Sequence, residues 1–465
     1  MTTFTHDTFI SPFTWRYGSD DMKHIFSEIH KRTLLRKIWI ALANAQRDAG
    51  LVTDAQVSEL ILHKDDIDVD RATEIENAIH HDLMAEIKTY AEQCPTAAPI
   101  IHMGATSMDI LDNMDAIRIK EALTLTIAKT QELLGLFVGK MEKLKDVPCM
   151  AFTHIQPAEP TTVGYRLAQT AQDLTDDLAD LVQTKDRIRG KGMKGAVGTA
   201  ASYAELLRGT SMTPIQMEAH VMDELGIKAF DASTQIYTRK QDLRVIDVLS
   251  SLCCTLYKFS IDFRILQSPP IGEWSEPFGS KQVGSSAMPF KRNPINNEKI
   301  DSLCRFVSSQ SNTAWQNAAS TLLERTLDDS ANRRIMLPEV FLATDEVLKT
   351  ATKIISGMQI HQTAIKRNLR DYGIFAATEK LLMELGRKGA NRQDMHEVIR
   401  EHSLEAWQEV QEGKPNTLAQ GLASDKRILA YLPEKTILGL LQADDYIGDA
   451  PKRCQMVIDR AKEML

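Results

Sequence analysis

The sequence predicts an all-α protein built around several helices of 20 or more residues, and three observations carry that expectation. Residues 13–94, 100–147, 161–213, 215–268, 295–337 and 339–414 contain no proline, so long helices can run through them uninterrupted. Aromatic residues make up only 6% of the chain and period-2 alternation is scarce, which argues against sheets. Apolar residues recur at helical spacing over 117–145, through Ile119, Leu123, Ile127, Leu134, Phe137, Met141 and Leu144. The same spacing runs over 163–189, through Leu167, Leu174, Leu178, Leu181 and Ile188.

Two further long windows lie at 239–267 and 295–325, and a shorter one at 338–357. Long helices in series predict a bundle whose apolar faces exceed what one copy buries, and so an oligomer. The flanks are broken into shorter pieces, near Gly50, Pro95 and Pro99 on one side and at 386–392 and 413–416 on the other. The expected organisation is an N-terminal helical domain (1–110), a central long-helix bundle (111–359) with a loop at 280–296, and a C-terminal helical domain (360–465).

Composition excludes several function classes. At 465 residues, 43% hydrophobic and 25% charged, the chain has the balance of an ordinary globular protein. A net charge of -8 argues against nucleic acid as a partner. No basic n-region with an apolar run opens the chain, and no apolar stretch reaches membrane-span length, so a cytoplasmic protein with no membrane partner is expected. The six cysteines form no CxxC or Cys/His spacing, and no H-E-x-x-H or EF-hand is present, so neither metal nor cofactor is expected. The glycine-rich stretch Arg189–Gly198 lacks the Lys-Ser/Thr ending of a phosphate loop and reads as a flexible connection between helices.

Chemistry concentrates at Gly284–Pro294, GSSAMPFKRNP. Its glycine, serines and two prolines predict a loop, and Asn293 followed by Pro294 predicts a capped helix start. Lys291 and Asn293 would then sit near the positive end of a helix, where carboxylates bind. On composition alone, a polar loop before a capped helix is the simpler reading.

This stretch matches every fixed position of the pattern G-S-S-x-M-P-x-K-x-N-P and so resembles the signature of the fumarase/aspartase superfamily. Within it, Trp15-Arg16-Tyr17, His81–Met84 (HDLM), His102–Asp109 (HMGATSMD), Phe152–Pro157 (FTHIQP), Gln235–Lys240 (QIYTRK) and Glu324–Arg334 (ERTLDDSANRR) resemble the adenylosuccinate lyases. Glu324–Arg334 is closer to the animal-type enzymes than to the shorter bacterial type, and 389–400 extends the likeness into the last domain. The resemblance implies a homotetramer with a twenty-helix core and active sites shared between subunits. It also implies elimination of fumarate from adenylosuccinate and from SAICAR.

Roles follow from the resemblance, residue by residue. Ser285 is the expected base and His154 the expected acid, because histidine titrates near neutrality. Ser286 is the neighbouring alternative in the same loop. His81 supports the acid; taken alone it lies off the Ile75, Ile79, Leu83, Ile87 stripe and reads as a solvated helix residue. Glu298 pairs with a catalytic histidine. Lys291 and Asn293 bind a succinyl carboxylate, with Thr106, Ser107, Thr153 and Gln235 as neutral donors. Arg16, Tyr17, Arg325, Ser330 and Arg334 hold phosphate and ribose, since an Arg fork grips two oxygens. Against that stands the reading of 324–334 as a solvated run with internal Arg/Asp pairing. Asp82 and Asp109 belong to the matched motifs and are counted as substrate contacts. His80 and Lys299 stand where animal-type enzymes have Arg; both are counted as substrate contacts that keep a possible positive charge, but neither supplies the Arg fork. Two rivals stay open: another superfamily member, such as an argininosuccinate lyase or an aspartase-like ammonia lyase, and a catalytically silent protein on the same fold.

Overall fold

The structure is a computed structural model that describes residues 5, 7–279 and 281–465. Ser280, the first residue of the expected signature loop, lies outside the described residues, as do residues 1–4 and 6 at the start of the expected N-terminal domain. Helix accounts for 66% of the chain. The long elements are Glu28–Asp48, Ser107–Leu144, Val163–Asp186, Lys240–Gln267, Ile295–Ala319 and Ser330–Gly357. The apolar stripes read from the sequence are buried: Ile119, Leu123, Leu134, Phe137, Met141, Leu174, Leu178 and Leu181 are each at most 1% exposed. No helix among the described residues is long and apolar enough to cross a membrane.

By contact density the chain divides into two units. One is drawn from 1–130, 177–254 and 302–349, the other from 131–176, 255–301 and 350–465. Five long helices contribute residues to both.

In the first unit Trp39 and Tyr90 meet at 6.2 Å between ring centroids, both essentially buried. Beneath them lies a buried ion cluster. Glu86 accepts from Arg32 Nη1 (2.5 Å) and Arg36 Nε (3.1 Å), and Arg36 stacks on the Tyr90 ring at 4.4 Å. In the second unit an aromatic ladder links Phe137, Phe259, Phe263 and Trp274 at centroid spacings of 5.3, 5.8 and 5.5 Å. A further apolar cluster, including Leu381, Val398, Leu422 and Ile437, ties the C-terminal helices together.

Three features depart from the sequence reading. Residues 148–153 and 156–162 form an antiparallel hairpin, although scarce period-2 alternation argues against sheets. Its prolines, Pro148, Pro157 and Pro160, mask the strand signal; a two-stranded ribbon has only edges, so a missing N–H is tolerated. The stripe from Ile75 to Ile87 is not one helix: Val69–Ile79 ends at left-handed His80 (φ 55°), and Asp82–Gln93 starts afresh. Finally, the window 295–325 ends early, at Ala319, and the next helix runs from Ser330 straight through Pro338. Pro338 removes the hydrogen bond that residue 338 would donate to the Arg334 carbonyl, one turn back.

Truncating Glu86 to alanine removes the buried anion that two guanidinium groups share, leaving Arg36 with carbonyl partners only and Arg32 with the exposed Glu28 at 3.6 Å. The expected loss is about 3–5 kcal/mol. A urea midpoint at fixed protein concentration reads it, and a loss below about 1 kcal/mol would show that the cluster is not stabilised by its charges.

Candidate functional site

A cavity of about 600 Å³ in the first unit gathers much of what the sequence singles out. Its wall is built first by the break at residues 80–82. His80 takes a left-handed conformation that a histidine tolerates better than most residues. His81 then caps the next helix, its Nδ1 accepting from the Met84 N–H at 3.2 Å. That bond fixes the neutral ring as the Nε2–H tautomer, leaving a donor on a half-exposed side chain. His81 is therefore an N-cap rather than a residue inside a helix. Asp82 accepts from the Leu83 N–H (2.7 Å) and from Arg334 Nη2 (2.9 Å). Burial pushes its carboxyl upward, but those two donors overcome this and hold it below the usual carboxylate range.

Thr106 and Ser107 enter the cavity wall at the N-terminus of the helix Ser107–Leu144. Asp109, counted from the motif as a substrate contact, is fully buried. It accepts from Lys191 Nζ (2.5 Å), the Lys194 and Gly195 N–H groups (3.2 and 3.1 Å), Tyr203 Oη (3.1 Å) and the Thr106 N–H (3.1 Å). It pins Thr106 and the glycine-rich stretch in place. That stretch is correspondingly fixed: Lys194 pairs with Glu218 at 2.6 Å, and Arg189–Gly190 pairs in parallel with Lys228–Ala229.

Gln235, Arg325, Ser330 and Arg334 also line the cavity. Beneath it runs a lattice of buried ions. Arg239 donates from Nε to Asp329 (2.6 Å) and from Nη1 to Asp112 (3.0 Å), and Arg325 donates to the other Asp329 oxygen (2.8 Å). Arg333 reaches Asp242 (2.6 Å), Asp115 (2.5 Å) and the Tyr237 hydroxyl (2.5 Å). Burial raises the Asp112 carboxyl. At Asp115 and Asp329 burial acts the same way but the adjacent guanidinium groups prevail and both are lowered. The run 324–334 shows internal Arg/Asp pairing that is buried rather than solvated at Asp329 and Arg333, and these two residues line the cavity together with Arg325, Ser330 and Arg334. Sequence reasoning missed Lys31, Arg118 and Arg239 in the lining. Arg239 was within reach, being part of QIYTRK; Arg118 follows Asp115 by three residues and pairs with it at 2.6 Å.

Arg16 and Tyr17 belong to the same unit but do not line this cavity. The Arg16 guanidinium lies 5.6 Å from the Trp15 ring centroid and 5.8 Å from that of Tyr17, with no carboxylate partner among the described residues.

The other expected residues belong to the second unit. Thr153 ends one hairpin strand and pairs with Gln156, and His154 and Ile155 form the two-residue tip at φ 55° and 60°. Positive φ at both positions is the I′ geometry that suits hairpin twist, yet it is strained for β-branched Ile155. The tip holds exposed His154 clear of the strands, at the rim of a separate cavity of about 660 Å³.

In the signature loop, Ser285 Oγ accepts from the Ala287 and Met288 N–H groups (3.3 and 3.1 Å), whereas Ser286 is exposed. Gly284 is required by close approach: a Cβ there would sit 2.0 Å from the Lys291 carbonyl oxygen. Asn293 does not cap the helix. Its amide turns back to the Gly284 carbonyl at 3.3 Å, and the helix starts at Ile295. The anion position at that helix start is already filled by Glu276, which accepts from the Asn296 and Asn297 N–H groups at 3.2 and 2.7 Å. Lys291 is exposed on the loop. Glu298 is half-exposed and lies 4.0 Å from Arg264; Lys299 follows it in the same helix.

Comparison with known proteins gives a consistent picture. A lyase family profile matches residues 26–308, and the profile of the adenylosuccinate lyase C-terminus matches 375–457. The adenylosuccinate lyase of Schistosoma mansoni is 39% identical over 455 residues, spanning 97% of this chain and 94% of its own. That of Saccharomyces cerevisiae is 36% identical over 461 residues, spanning 98% and 95%. Among solved structures, 3-carboxy-cis,cis-muconate lactonizing enzyme from Pseudomonas putida superimposes with a TM-score of 0.86 at 22% identity, over 97% of this chain and 99% of that one. A fumarate lyase from Mesorhizobium sp. BNC1 does so with 0.82 at 20% identity, over 95% and 98%. These two establish the shared fold.

One pH dependence follows from His102, beside the cavity wall. Its Nδ1 accepts from Trp39 Nε1 at 3.2 Å, and burial pushes its pKa down to about 4 against a smaller opposing effect of Asp109. The neutral ring is favoured in the folded state, so its contribution is intact above pH ~6.5 and is lost as pH falls from there towards 4. Between pH 7 and pH 5 this amounts to about 2 kcal/mol. His102→Asn, which tolerates the left-handed backbone at φ 68°, is expected to remove that part of the acid destabilisation. Urea midpoints at the two pH values measure it; an unchanged pH slope would show that His102 is not the group responsible.

Proposed function

The chain belongs to the adenylosuccinate lyase family, and from that premise we propose that it eliminates fumarate from adenylosuccinate, leaving AMP, and from SAICAR, leaving AICAR. One observation carries this reading: segments far apart in sequence, at 80–82, 106–107, 235 and 325–334, surround a single cavity of about 600 Å³. Ligand cavities for molecules of nucleotide size fall in this range.

In this proposal the cavity takes the nucleotide, with Arg325, Ser330 and Arg334 on the phosphate, joined by Arg16 and Tyr17. The Asp82–Arg334 pair opens to admit it. Ser285 takes the proton from the carbon beside one succinyl carboxylate, and the electron pair is held on that carboxylate by Lys291 and Asn293. Two N–H donors at Ser285 Oγ favour its anionic form, which supports the role of base. The pair then returns, the C–N bond breaks, and His154 protonates the departing nitrogen. Thr106, Ser107, Thr153 and Gln235 donate to the carboxylates, and Glu298 supports a histidine of the acid pair. His81, held as the Nε2–H tautomer, donates to substrate. The working form is a cytoplasmic homotetramer in which subunits share active sites, with 1–110, 111–359 and 360–465 as successive parts.

The test is an absorbance assay with adenylosuccinate on the wild type and on His154→Ala and Ser285→Ala. The wild type is expected to release AMP and fumarate in equal amounts, and each variant to lose about 10²–10⁴-fold in kcat. An inactive wild type would overturn the assignment, and a fully active variant would remove that residue's role. Activity against pH is expected to be bell-shaped, since a base and an acid must hold opposite protonation states; a flat profile through neutrality counts against the pair.

A further inference from the structure

The signature loop leaves and re-enters the fold through a neck that the proposed chemistry does not use. Glu276, only 6% exposed, sits where the chain departs. Its Oε2 accepts from the Asn296 N–H and Nδ2 (3.2 and 2.6 Å), and its Oε1 from the Asn297 N–H and Nδ2 (2.7 and 2.6 Å), where the chain returns. Gln267 spans the same neck: its Oε1 accepts from the Glu276 N–H at 3.0 Å and its Nε2 donates to the Arg292 carbonyl at 3.0 Å. Arg292 also lies over the Phe278 ring at 5.0 Å. The arrangement is held against a local penalty, because Asn297 Oδ1 is buried without a partner among the described residues while its amide serves Glu276.

A carboxylate that receives four N–H donors from one strand of a neck fixes where that strand lies. Asn293, three residues before Asn296, bonds the Gly284 carbonyl, next to Ser285. Carboxylate, helix start, Asn293 and Ser285 form one connected path. We infer that Glu276 is a positioning residue, setting through this neck the place of Ser285 and Lys291 for proton abstraction. The inference rests on the reading of Ser285 as the base.

Glu276→Gln tests it. A carboxamide has one acceptor oxygen, and its NH₂ would face the Asn296 donors, so half of the clamp is lost. At a temperature where circular dichroism shows both proteins folded, kcat on adenylosuccinate is expected to fall about 10–100-fold with KM within about twofold, as for misplacement of a reacting group. On a Ser285→Ala background the same change is expected to cost clearly less than on the wild type, because the part that acts through Ser285 is already gone and only the placement of Lys291 remains to be lost. An unchanged kcat overturns the inference, as does an equal additional loss on the Ser285→Ala background. If the wild type itself does not turn over, the functional reading fails and trypsin decides the clamp alone. Cleavage after Lys281 and Lys291 is expected several-fold faster in Glu276→Gln, and equal cleavage overturns it. Should that variant not fold, Asn296→Ala, which removes one donor and keeps the carboxylate, is read in the same way.

Discussion

Arg239 and Arg333 stand among buried carboxylates at Asp112, Asp115, Asp242 and Asp329, and the wall of the cavity rests on this lattice. A guanidinium removed from water is stable only when its fork is matched, and here each fork is shared between carboxylates from distant parts of the chain. Removing one partner of such a group typically destabilises by about 3–5 kcal/mol, because the other is left buried and charged. The lattice therefore dictates which residues of 324–334 turn inward. Asp329 and Arg333 are committed to the lattice although both line the cavity, Arg334 meets Asp82 in the same lining, and Arg325 is held by Asp329.

The same device recurs in the second unit at a different scale. A buried carboxylate, Glu276, occupies the positive end of the helix Ile295–Ala319. Free anions favour such a position, so filling it internally reserves loop groups such as Lys291 and the exposed tip for other work. The hairpin carrying His154 is also anchored by a buried charge. Arg166 donates to Glu273 at 2.6 Å and to the Met150 carbonyl at the base of the hairpin, and Glu273 in turn accepts from Asn368 at 2.9 Å. The exposed hairpin tip and the exposed Lys291 thus project from segments held by buried charged groups, Arg166 with Glu273 in one case and Glu276 in the other. That suits residues that must keep their geometry without a packed environment of their own.

Much of the helical architecture was legible in the sequence because it rests on local rules. Proline-free windows and apolar spacing located the helices at 163–186 and 240–267 within a few residues. The hairpin was not legible, since three prolines in two short strands mask the strand signal. Neither was continuation of the last long helix through Pro338, where tertiary packing outweighs one missing hydrogen bond. His81 changed character for a similar reason: a left-handed residue before it converts an apparent helix interior into a cap.

The sequence by itself determined the helical class, the loop at Gly284–Pro294 and, through matched motifs, the membership of the family from which the proposed roles are taken. These depend on the type and order of neighbouring residues. Tertiary structure alone decided which charged residues are spent on the protein. Asp109 and Asp82 lie in adjoining motifs and look alike in sequence, yet Asp109 is sealed among internal donors while Asp82 reaches Arg334 at the cavity. The difference lies in what burial supplies: a carboxylate's role follows from its donors, and those donors come from segments tens to hundreds of residues away.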